Sequence, residues 1–342
     1  ICWSLVGSEM CIRDSMNFEP TVFLPKELLR KLTDPLSREE LSPPHGTQFV
    51  LVDLSRDQLA IPNQLLPACP VIGLHKAKDK IRDDSVDCYA TKNDLSQILA
   101  SISSRPIPSA ILVHVLRQSL HNDIPSALVL ESIAYGSLQK SSDFQKWLSE
   151  RDEIVPQSSN SDCVISSRSH EQLTIQLNRP EKHNAFNQAM RDQLCEILQL
   201  PLIDLSVTSV NVVGAGKSFC SGGDLDEFGL VGDAGAAHLV RTSRSPAQLF
   251  NLLAPKMTAM VHGACIGAGI ELAAFCKKII AKEDAFFQLP EIGLGLLPGA
   301  GGTASLPRRI GRYDTALLAI TGKTIHSDEA FELGLIDEIR SD

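Results

Sequence analysis

Two glycine-rich stretches and two glutamates are the parts of this sequence whose residue types and spacing could do chemistry. The stretches are GAGKSFCSGGD at 214–224 and GACIGAG at 263–269. Small residues at the start of a helix leave backbone N–H groups free, and the helix dipole favours negative charge there. Glu271 lies in the first turn of the helix expected after the second stretch, and Glu291 follows twenty residues later. The pattern predicts a site that stabilises an anion beside acidic side chains.

The two glutamates are candidates for an acid/base pair. Pro290 precedes Glu291 and Gly293 follows it, which indicates a tight turn and not a solvated helix face. Two acidic residues, each beside a small-residue loop, have the composition that proton transfer requires. The alternative is structural: Glu271 would cap a helix, and Glu291 would pair with a base on a loop.

The first glycine stretch also resembles the end of a phosphate-binding loop. Such a loop needs a glycine at position 211, where this sequence has Asn211. A helix should also begin directly after Lys217 and Ser218, so that its amides face the phosphates. Gly222 and Gly223 stand close to that point instead. We therefore reject a nucleotide-binding loop, and a glycine-rich turn without chemistry remains an alternative.

Composition limits the class of protein. The 342 residues suggest about two domains. A net charge of −9 argues against a nucleic-acid partner, because phosphate backbones require clustered Lys and Arg. Nine cysteines with neither a C-x-x-C pair nor metal-like spacing indicate free thiols and no metal site. No apolar run approaches the roughly 20 residues of a membrane span. We expect a cytoplasmic protein without a membrane or nucleic-acid partner.

The N-terminal half predicts a small α/β domain at 16–155. The stretch before it, 1–15, lacks the uninterrupted apolar segment of a signal peptide and reads as a non-native leader. Short apolar runs bounded by turn residues predict strands of a parallel sheet, and helical patterns follow them. The strands are expected at 49–54, 70–74 and 86–90, and the later helices at 107–119 and 124–151.

Two further features lie at the end of this half and directly after it. Glu131 and Tyr135 lie one helical turn apart, and we interpret them as a helix-face pair and not as a site. The Ser- and Asn-rich segment at 156–170 has the composition of a linker. Beyond it, a strand from residue 171 ends before Pro180, and a β-branched strand at 207–213 leads into the first glycine stretch.

The region 171–342 resembles the enoyl-CoA hydratase/isomerase (crotonase) superfamily. Five blocks carry the resemblance in the family's order: LNRPEKHNAF, GKSFCSGGDL, VHGACIGAGIELA, LPEIGLGLLPGAGGT and GLIDEI. The resemblance implies a ClpP/crotonase-like α/β fold of repeated ββα units, here preceded by the smaller α/β domain. It further implies an acyl-CoA thioester as substrate, coenzyme A as part of that substrate, no permanently bound cofactor and a homo-oligomer.

The resemblance also assigns site residues. The amides of Gly223 and Ala268 would form the oxyanion hole, and alanine keeps the amide at a position where the family has glycine. Glu271 and Glu291 match the two acidic positions of the hydratases. Lys182 and His183 would lie near the CoA phosphates. The entrance would be lined by Ala185, Ser221, Asp224 and Leu225.

The expected reaction is hydration of a 2-enoyl-CoA, with Glu271 deprotonating water and Glu291 protonating the α-carbon. An enoyl-CoA isomerase, an acyl-CoA thioesterase and a cofactor-independent aryl-acetyl-CoA dioxygenase are alternatives on the same fold. A CoA-binding scaffold is the non-enzymatic alternative. Two polar acidic side chains retained at matching positions favour an enzyme.

Three further expectations concern two cysteines, two arginines and the cover of the site. Cys220 and Cys265 are read as buried packing residues, because no paired histidine is evident. Arg241 and Arg244 could meet a CoA phosphate or a polar acyl group, with a solvated helix face as the default. Family members continue with several helices after the last block, whereas this chain ends at Asp342. We expect the helix at 124–151 to cover the site in their place.

Overall fold

The computed structural model describes residues 21–54, 61–62, 65–74, 85–91, 93–151, 162–230 and 232–341. The predicted leader at 1–15 and the first part of the predicted linker, 156–161, lie outside the described residues. Contacts divide the chain into two compact units, residues 1–114 and 115–342.

The first unit contains a parallel four-stranded sheet in the order β1-β2-β3-β4. Its strands are β1 Val22–Phe23, β2 Val50–Asp53, β3 Val71–Leu74 and β4 Cys88–Ala90. Its helices are α1 Pro25–Thr33, α2 Pro35–Glu40, α3 Leu95–Ser104 and α4 Pro106–Ser119, the last of which crosses into the second unit. The sequences of β2 and β3 are nearly continuous apolar runs, because parallel strands are buried on both faces of the sheet. The three predicted strands are confirmed.

The second unit holds the remaining elements. Its helices are α5 Ile124–Leu138, α6 Ser142–Ser149, α7 Gln188–Ile197, α8 Leu200–Ile203, α9 Ala234–Ser243, α10 Pro246–Leu253, α11 Ala268–Ala273, α12 Gly302–Ile310, α13 Arg312–Thr321 and α14 Ser327–Glu332. Its strands are β5 Val164–Ser169, β6 Gln172–Leu177, β7 Ser209–Gly214, β8 Met257–Val261, β9 Ala264–Ile266, β10 Lys278–Lys282, β11 Phe286–Gln288, β12 Ile325–His326 and β13 Glu338–Arg340.

These strands form two sheets. The larger has the order β13-β10-β8-β7-β6-β5 and is parallel except between β5 and β6. The smaller has the order β12-β11-β9, with β9 and β11 parallel. Along the chain, β8 and β9 precede α11, and β10 and β11 precede α12. In each case one strand joins the large sheet and the next joins the small one, so ββα units repeat.

Two elements differ from the sequence expectation. The helix predicted at 124–151 is two helices, because Ser141 begins a new one by accepting a hydrogen bond from the Phe144 N–H. Within the predicted linker, β5 pairs with β6 along its whole length. It is an edge strand in which only Val164 is buried, so its polar composition resembles a loop.

Helix α5 packs within the second unit, against α9, α10 and α12. The second unit therefore begins earlier in the chain than the region that carries the family blocks. In the described part of the chain, no individual helix combines the length and apolar composition needed to cross a membrane. The bent pair α3 and α4 meets that test only when its two helices are counted together.

Candidate active site

The two glycine stretches lie side by side. The Cys220 N–H donates to Ala264 O at 3.0 Å, and the Ile266 N–H donates to Cys220 O at 2.9 Å, so the first stretch runs along β9. The Cα of Gly222 lies 3.5 Å from the place where a Cβ on Gly267 would stand. The fold thus joins two loops that are about forty residues apart in the sequence.

The amides of Gly223 and Ala268 are both unused by the fold. Phe186 bonds to the residues on either side of Gly223, which turns the Gly223 N–H the other way. Ala268 is the first residue of α11, where amides have no partner inside the helix. Neither amide donates to any acceptor in the described residues. Ala268 has a negative φ, as an alanine requires, whereas Gly267 before it has φ +47°.

Gly223 and Ala268 both line a cavity of about 530 Å³ that Glu271 and Glu291 also line. Two preorganised N–H groups in such a place can stabilise an oxygen that becomes negative during a reaction. The structure therefore brings together all four residues that the sequence assigned to chemistry.

Hydrogen bonds hold the Glu271 side chain at the N-terminus of α12. Its side chain is 2% exposed, and Oε2 accepts the N–H groups of Ala300 at 2.7 Å and Gly302 at 2.9 Å. Burial, and then the charges of Glu291 and Glu131, raise the pKa of Glu271 well above its usual value. The two amides act in the opposite direction, because they bond to the ionised form.

Glu291 has the less polar surroundings of the two. It begins a 3₁₀ turn, Glu291–Leu294, as the flanking proline and glycine predicted. Its Oε1 lies against Gly267, where a Cβ would collide with it, and its buried Oε2 has no hydrogen-bond partner. Burial raises the pKa of Glu291 to about 8. The carboxyl group is thus suited to carry a proton at neutral pH.

A third carboxyl group, from Glu131 on α5, lines the same cavity. Its Oε1 accepts the Gly301 N–H at 2.7 Å, and its Oε2 accepts the Thr303 N–H at 2.9 Å and the Thr303 hydroxyl at 2.7 Å. The four successive amides of residues 300–303, at the N-terminus of α12, therefore donate alternately to Glu271 and Glu131. Burial raises the pKa of Glu131 to about 7. Our interpretation of Glu131 and Tyr135 as a mere helix-face pair was wrong, because their partners lie more than 160 residues away.

Replacing Glu131 with alanine should destabilise the protein. The substitution leaves two buried backbone amides and one hydroxyl without an acceptor, and each unsatisfied buried group costs about 1–3 kcal/mol. We expect a clear fall in the free energy of unfolding by chemical denaturation. Glu131→Gln is the matched control, since its amide oxygen can still accept part of this set. Equal stability of Glu131→Ala and the wild type would contradict the anchoring role.

Asn184 has a structural role that we did not predict from the sequence. It has φ +55° and is fully buried. Its Nδ2 donates to Ala215 O and Ser218 O, both at 2.8 Å, and its Oδ1 accepts the Arg179 N–H. It thereby fixes the first glycine stretch. The signal was available, because Asn is one of the few residues that tolerate positive φ.

The six residues assigned to CoA come together on two adjoining loops, and none of them lines the cavity. Lys182 is bonded to Asp226 at 2.8 Å, which raises the pKa of the lysine. His183 Nδ1 contacts the Ser218 hydroxyl at 3.0 Å, and the Ser221 N–H donates to His183 O. Asp224 forms a buried ion pair with Arg179 at 2.8 Å. Ala185 is buried, and Leu225 is exposed.

The cysteines beside the site are packing residues, as expected. Cys220 and Cys265 are buried and bridge the two loops through their backbones. Burial raises the pKa of Cys220 to about 12 and that of Cys265 well above its usual value, so neither is a ready thiolate. The residues that the structure describes contain no group of three side chains placed to hold a metal ion.

Comparisons with known proteins show which family this chain is similar to. A profile of the family described as Enoyl-CoA hydratase/isomerase matches residues 169–342, just over half of the chain. The 2,3-dehydroadipyl-CoA hydratase of Escherichia coli is 35% identical over 177 residues, which are 52% of this chain and 68% of that protein. The mitochondrial Delta(3,5)-Delta(2,4)-dienoyl-CoA isomerase of Mus musculus is 36% identical over 191 residues, covering 52% of this chain and 58% of that protein.

A solved structure supports the fold. An enoyl-CoA hydratase/carnithine racemase from Magnetospirillum magneticum aligns with a TM-score of 0.50 at 24% identity, over 54% of this chain and 70% of that one. The expected α/β architecture of ββα units is therefore confirmed for the second unit. With the family profile and the sequence relatives, it leads to one conclusion: this chain is a member of the enoyl-CoA hydratase/isomerase family.

Proposed function

We propose that this protein adds water to the double bond of a 2-enoyl-CoA thioester, and removes it in the reverse direction. One observation carries the proposal: a single cavity is lined by the buried Glu271, by Glu291 with its buried Oε2, and by two residues whose amides the fold leaves unused. A thioester enolate needs both kinds of group, since its oxygen becomes negative while protons move at the neighbouring carbons.

In the proposed reaction the thioester oxygen accepts hydrogen bonds from the Gly223 and Ala268 amides. Glu271 takes a proton from water as the water oxygen bonds to the β-carbon. The electrons of the double bond move toward the thioester, and the enolate oxygen gains negative charge at the two amides. Glu291 then gives its proton to the α-carbon. The loss of one amide of this kind typically costs about 2.7–4 kcal/mol of transition-state stabilisation.

The hydrogen bonds of the two glutamates support this division of roles, acting on Glu271 against the burial that raises its pKa. Glu271 accepts two amide N–H groups, which stabilise its ionised form, whereas Glu291 has a buried oxygen without a donor. Two carboxyl groups whose environments push their proton affinities apart can serve as base and acid in one step.

The coenzyme A part of the substrate would lie along the two loops that hold Lys182, His183 and Ser221. Lys182 is half exposed and would approach the phosphates after exchanging its bond to Asp226. The buried ion pair of Asp224 gives that residue a supporting role at the entrance. A cytoplasmic location and a homo-oligomer remain predictions from the sequence.

Isomerisation of the double bond is the second candidate. The hydrogen bonds of Glu271 favour it. Two amides already donate to Glu271 Oε2, whereas Glu291 Oε2 accepts no hydrogen bond from the described residues. A single carboxyl group can move a proton between the α- and γ-carbons. The mouse relative, named as a dienoyl-CoA isomerase, also belongs to this class.

A panel of thioesters separates the candidate reactions. With crotonyl-CoA in oxygen-labelled water, a hydratase places the label on the β-carbon. A 3-enoyl-CoA converted to its 2-enoyl isomer without label identifies an isomerase. Release of free thiol identifies a thioesterase, and oxygen uptake with an aryl-acetyl-CoA identifies a dioxygenase. Binding without turnover of any thioester would contradict an enzymatic role and favour a scaffold.

The stability of the protein should fall as pH rises from about 4.5 to about 8. The pKa of Glu291 is raised from 4.5 to about 8 on folding, so the folded state binds this proton more tightly. That stabilisation is complete below about pH 4.5 and is lost as pH approaches 8. Glu291→Gln cannot ionise and should lack this part of the loss.

The difference in melting temperature between wild type and Glu291→Gln isolates this group. We expect the two proteins to melt together near pH 4.5, and the variant to melt higher above about pH 8. A difference that stays constant across this range would contradict the raised pKa.

A further inference from the structure

Arg241 lines the cavity without forming an ion pair with any described residue. It lies on α9, and its Nε and Nη2 donate to the hydroxyl and carbonyl oxygens of Ser132 on α5 at 2.9 and 3.1 Å. Its guanidinium carbon is 5.2 Å from the centre of the Tyr135 ring. No carboxylate of the described residues lies within ion-pair distance of it. The default reading of Arg241 as part of a solvated helix face was wrong.

The other two arginines that line the cavity are neutralised. Arg191 pairs with Asp192 at 2.8 Å. Arg244 pairs with Asp192 at 2.9 Å and with Glu196 at 3.1 Å. Arg241 therefore differs from its neighbours in charge balance, although all three line one space.

Glu131 is near enough to attract Arg241 electrostatically, but it does not bond to the guanidinium. Both of its oxygens are taken by donors on Gly301 and Thr303. Desolvation lowers the pKa of Arg241, yet an arginine stays charged at neutral pH. A partly buried cation with unused donors is costly unless an anion meets it.

A second polar group lies beside this cation. The Tyr135 hydroxyl has no hydrogen-bond partner among the described residues, and its ring packs against Gly299. Gly299 precedes Ala300, whose amide bonds to Glu271. Tyr135 and Arg241 are thus on the Glu271 side of the cavity. None of the residues that we assign to CoA by resemblance lines this space, so we expect the acyl group to occupy it and not the CoA phosphates.

We propose that Arg241 and Tyr135 form a subsite for a carboxylate at the far end of the acyl chain, so that the preferred substrates are ω-carboxyl acyl-CoA thioesters. The inference rests on the proposed acyl-CoA function. The unused guanidinium nitrogen and the phenol would both donate to the carboxylate, and apolar side chains would hold the methylene groups. These apolar residues are Leu128, Val129, Leu230 and Leu272. Charge-assisted bonds of this kind are the strong ones.

The test compares two saturated thioesters, hexanoyl-CoA and adipoyl-CoA, which differ only at the end of the chain and cannot be hydrated. We expect calorimetry to show that the wild type binds adipoyl-CoA about 10- to 150-fold more tightly, the range for a hydrogen bond to a charged group. Arg241→Gln should bring this ratio close to one, and Tyr135→Phe should lower it. Arg244→Gln, which changes a paired arginine of the same cavity, should keep the ratio.

A wild-type ratio near one, with both thioesters bound, would overturn the subsite and leave the hydratase proposal intact. A preference that survives in Arg241→Gln would also overturn it. If Arg241→Gln fails to fold, Tyr135→Phe and the wild-type ratio still decide the matter. Turnover of crotonyl-CoA tests the reaction separately, so a failure of the proposed function is distinguished from a failure of the subsite.

Discussion

Glu291→Gln should lower kcat for hydration of crotonyl-CoA by about 10²–10⁴-fold, the usual contribution of a positioned acid or base. Glutamine keeps the size and one acceptor oxygen, but it has no proton to give to the α-carbon. Glu271→Gln should lose a similar factor because it cannot accept the proton of water. In the proposed reaction both groups transfer protons in the chemical step, so the effect should appear in kcat and not in the dissociation constant of a saturated acyl-CoA.

The two effects should not add. Groups that act in one step give a double variant about as slow as the worse single variant. Glu329→Gln is the matched control, because Glu329 forms an exposed pair with Lys323 and lies outside the cavity. If Glu271→Gln keeps its rate on a 3-enoyl-CoA and only Glu291→Gln loses it, the isomerase candidate is favoured instead.

Asp224→Ala should destabilise the protein by about 3–5 kcal/mol, the usual cost of leaving one member of a buried ion pair alone. Arg179 and Asp224 meet at 2.8 Å, with side chains only 6% and 8% exposed. Arg179 also donates to Ala185 O, so the uncompensated guanidinium cannot leave easily. Denaturant unfolding measures the loss of stability. The ion pair also holds the end of the first glycine stretch, because Asp224 directly follows Gly223.

The exposed pair of Lys323 and Glu329 supplies the comparison. Glu329→Ala should change stability by no more than about 1 kcal/mol, because exposed ion pairs contribute little. Replacing both Arg179 and Asp224 with apolar residues of similar size should recover part of the loss, since no buried charge then remains. A small effect of Asp224→Ala alone would mean that Arg179 finds another partner.

Parts of the fold were predictable because their signals are local. The parallel strands β2 and β3 are continuous apolar runs between turn residues, and the structure has them where expected. The glycine blocks were recognisable because close approach and positive φ demand glycine, as at Gly222 and Gly267. By contrast, β5 is an edge strand with one buried residue, so pairing with β6 defines it and composition does not.

The helix predicted at 124–151 shows a similar limit. Its apolar spacing continues past residue 138, but the chain leaves the helix and Ser141 caps the next one. Hydrophobic periodicity predicts which side chains will be buried, but it does not predict where the backbone leaves the helix.

The sequence by itself determined the family, the two amide-bearing loops and the positions of Glu271 and Glu291, because each depends on residue types within a short segment. Only the tertiary structure decided that Glu131, Tyr135 and Arg241 share the same cavity. These three come from α5 and α9, and their partners lie more than 100 residues away in the chain. No local pattern marks a side chain whose role depends on contacts at such a distance, because the packing of helices against the loops creates it.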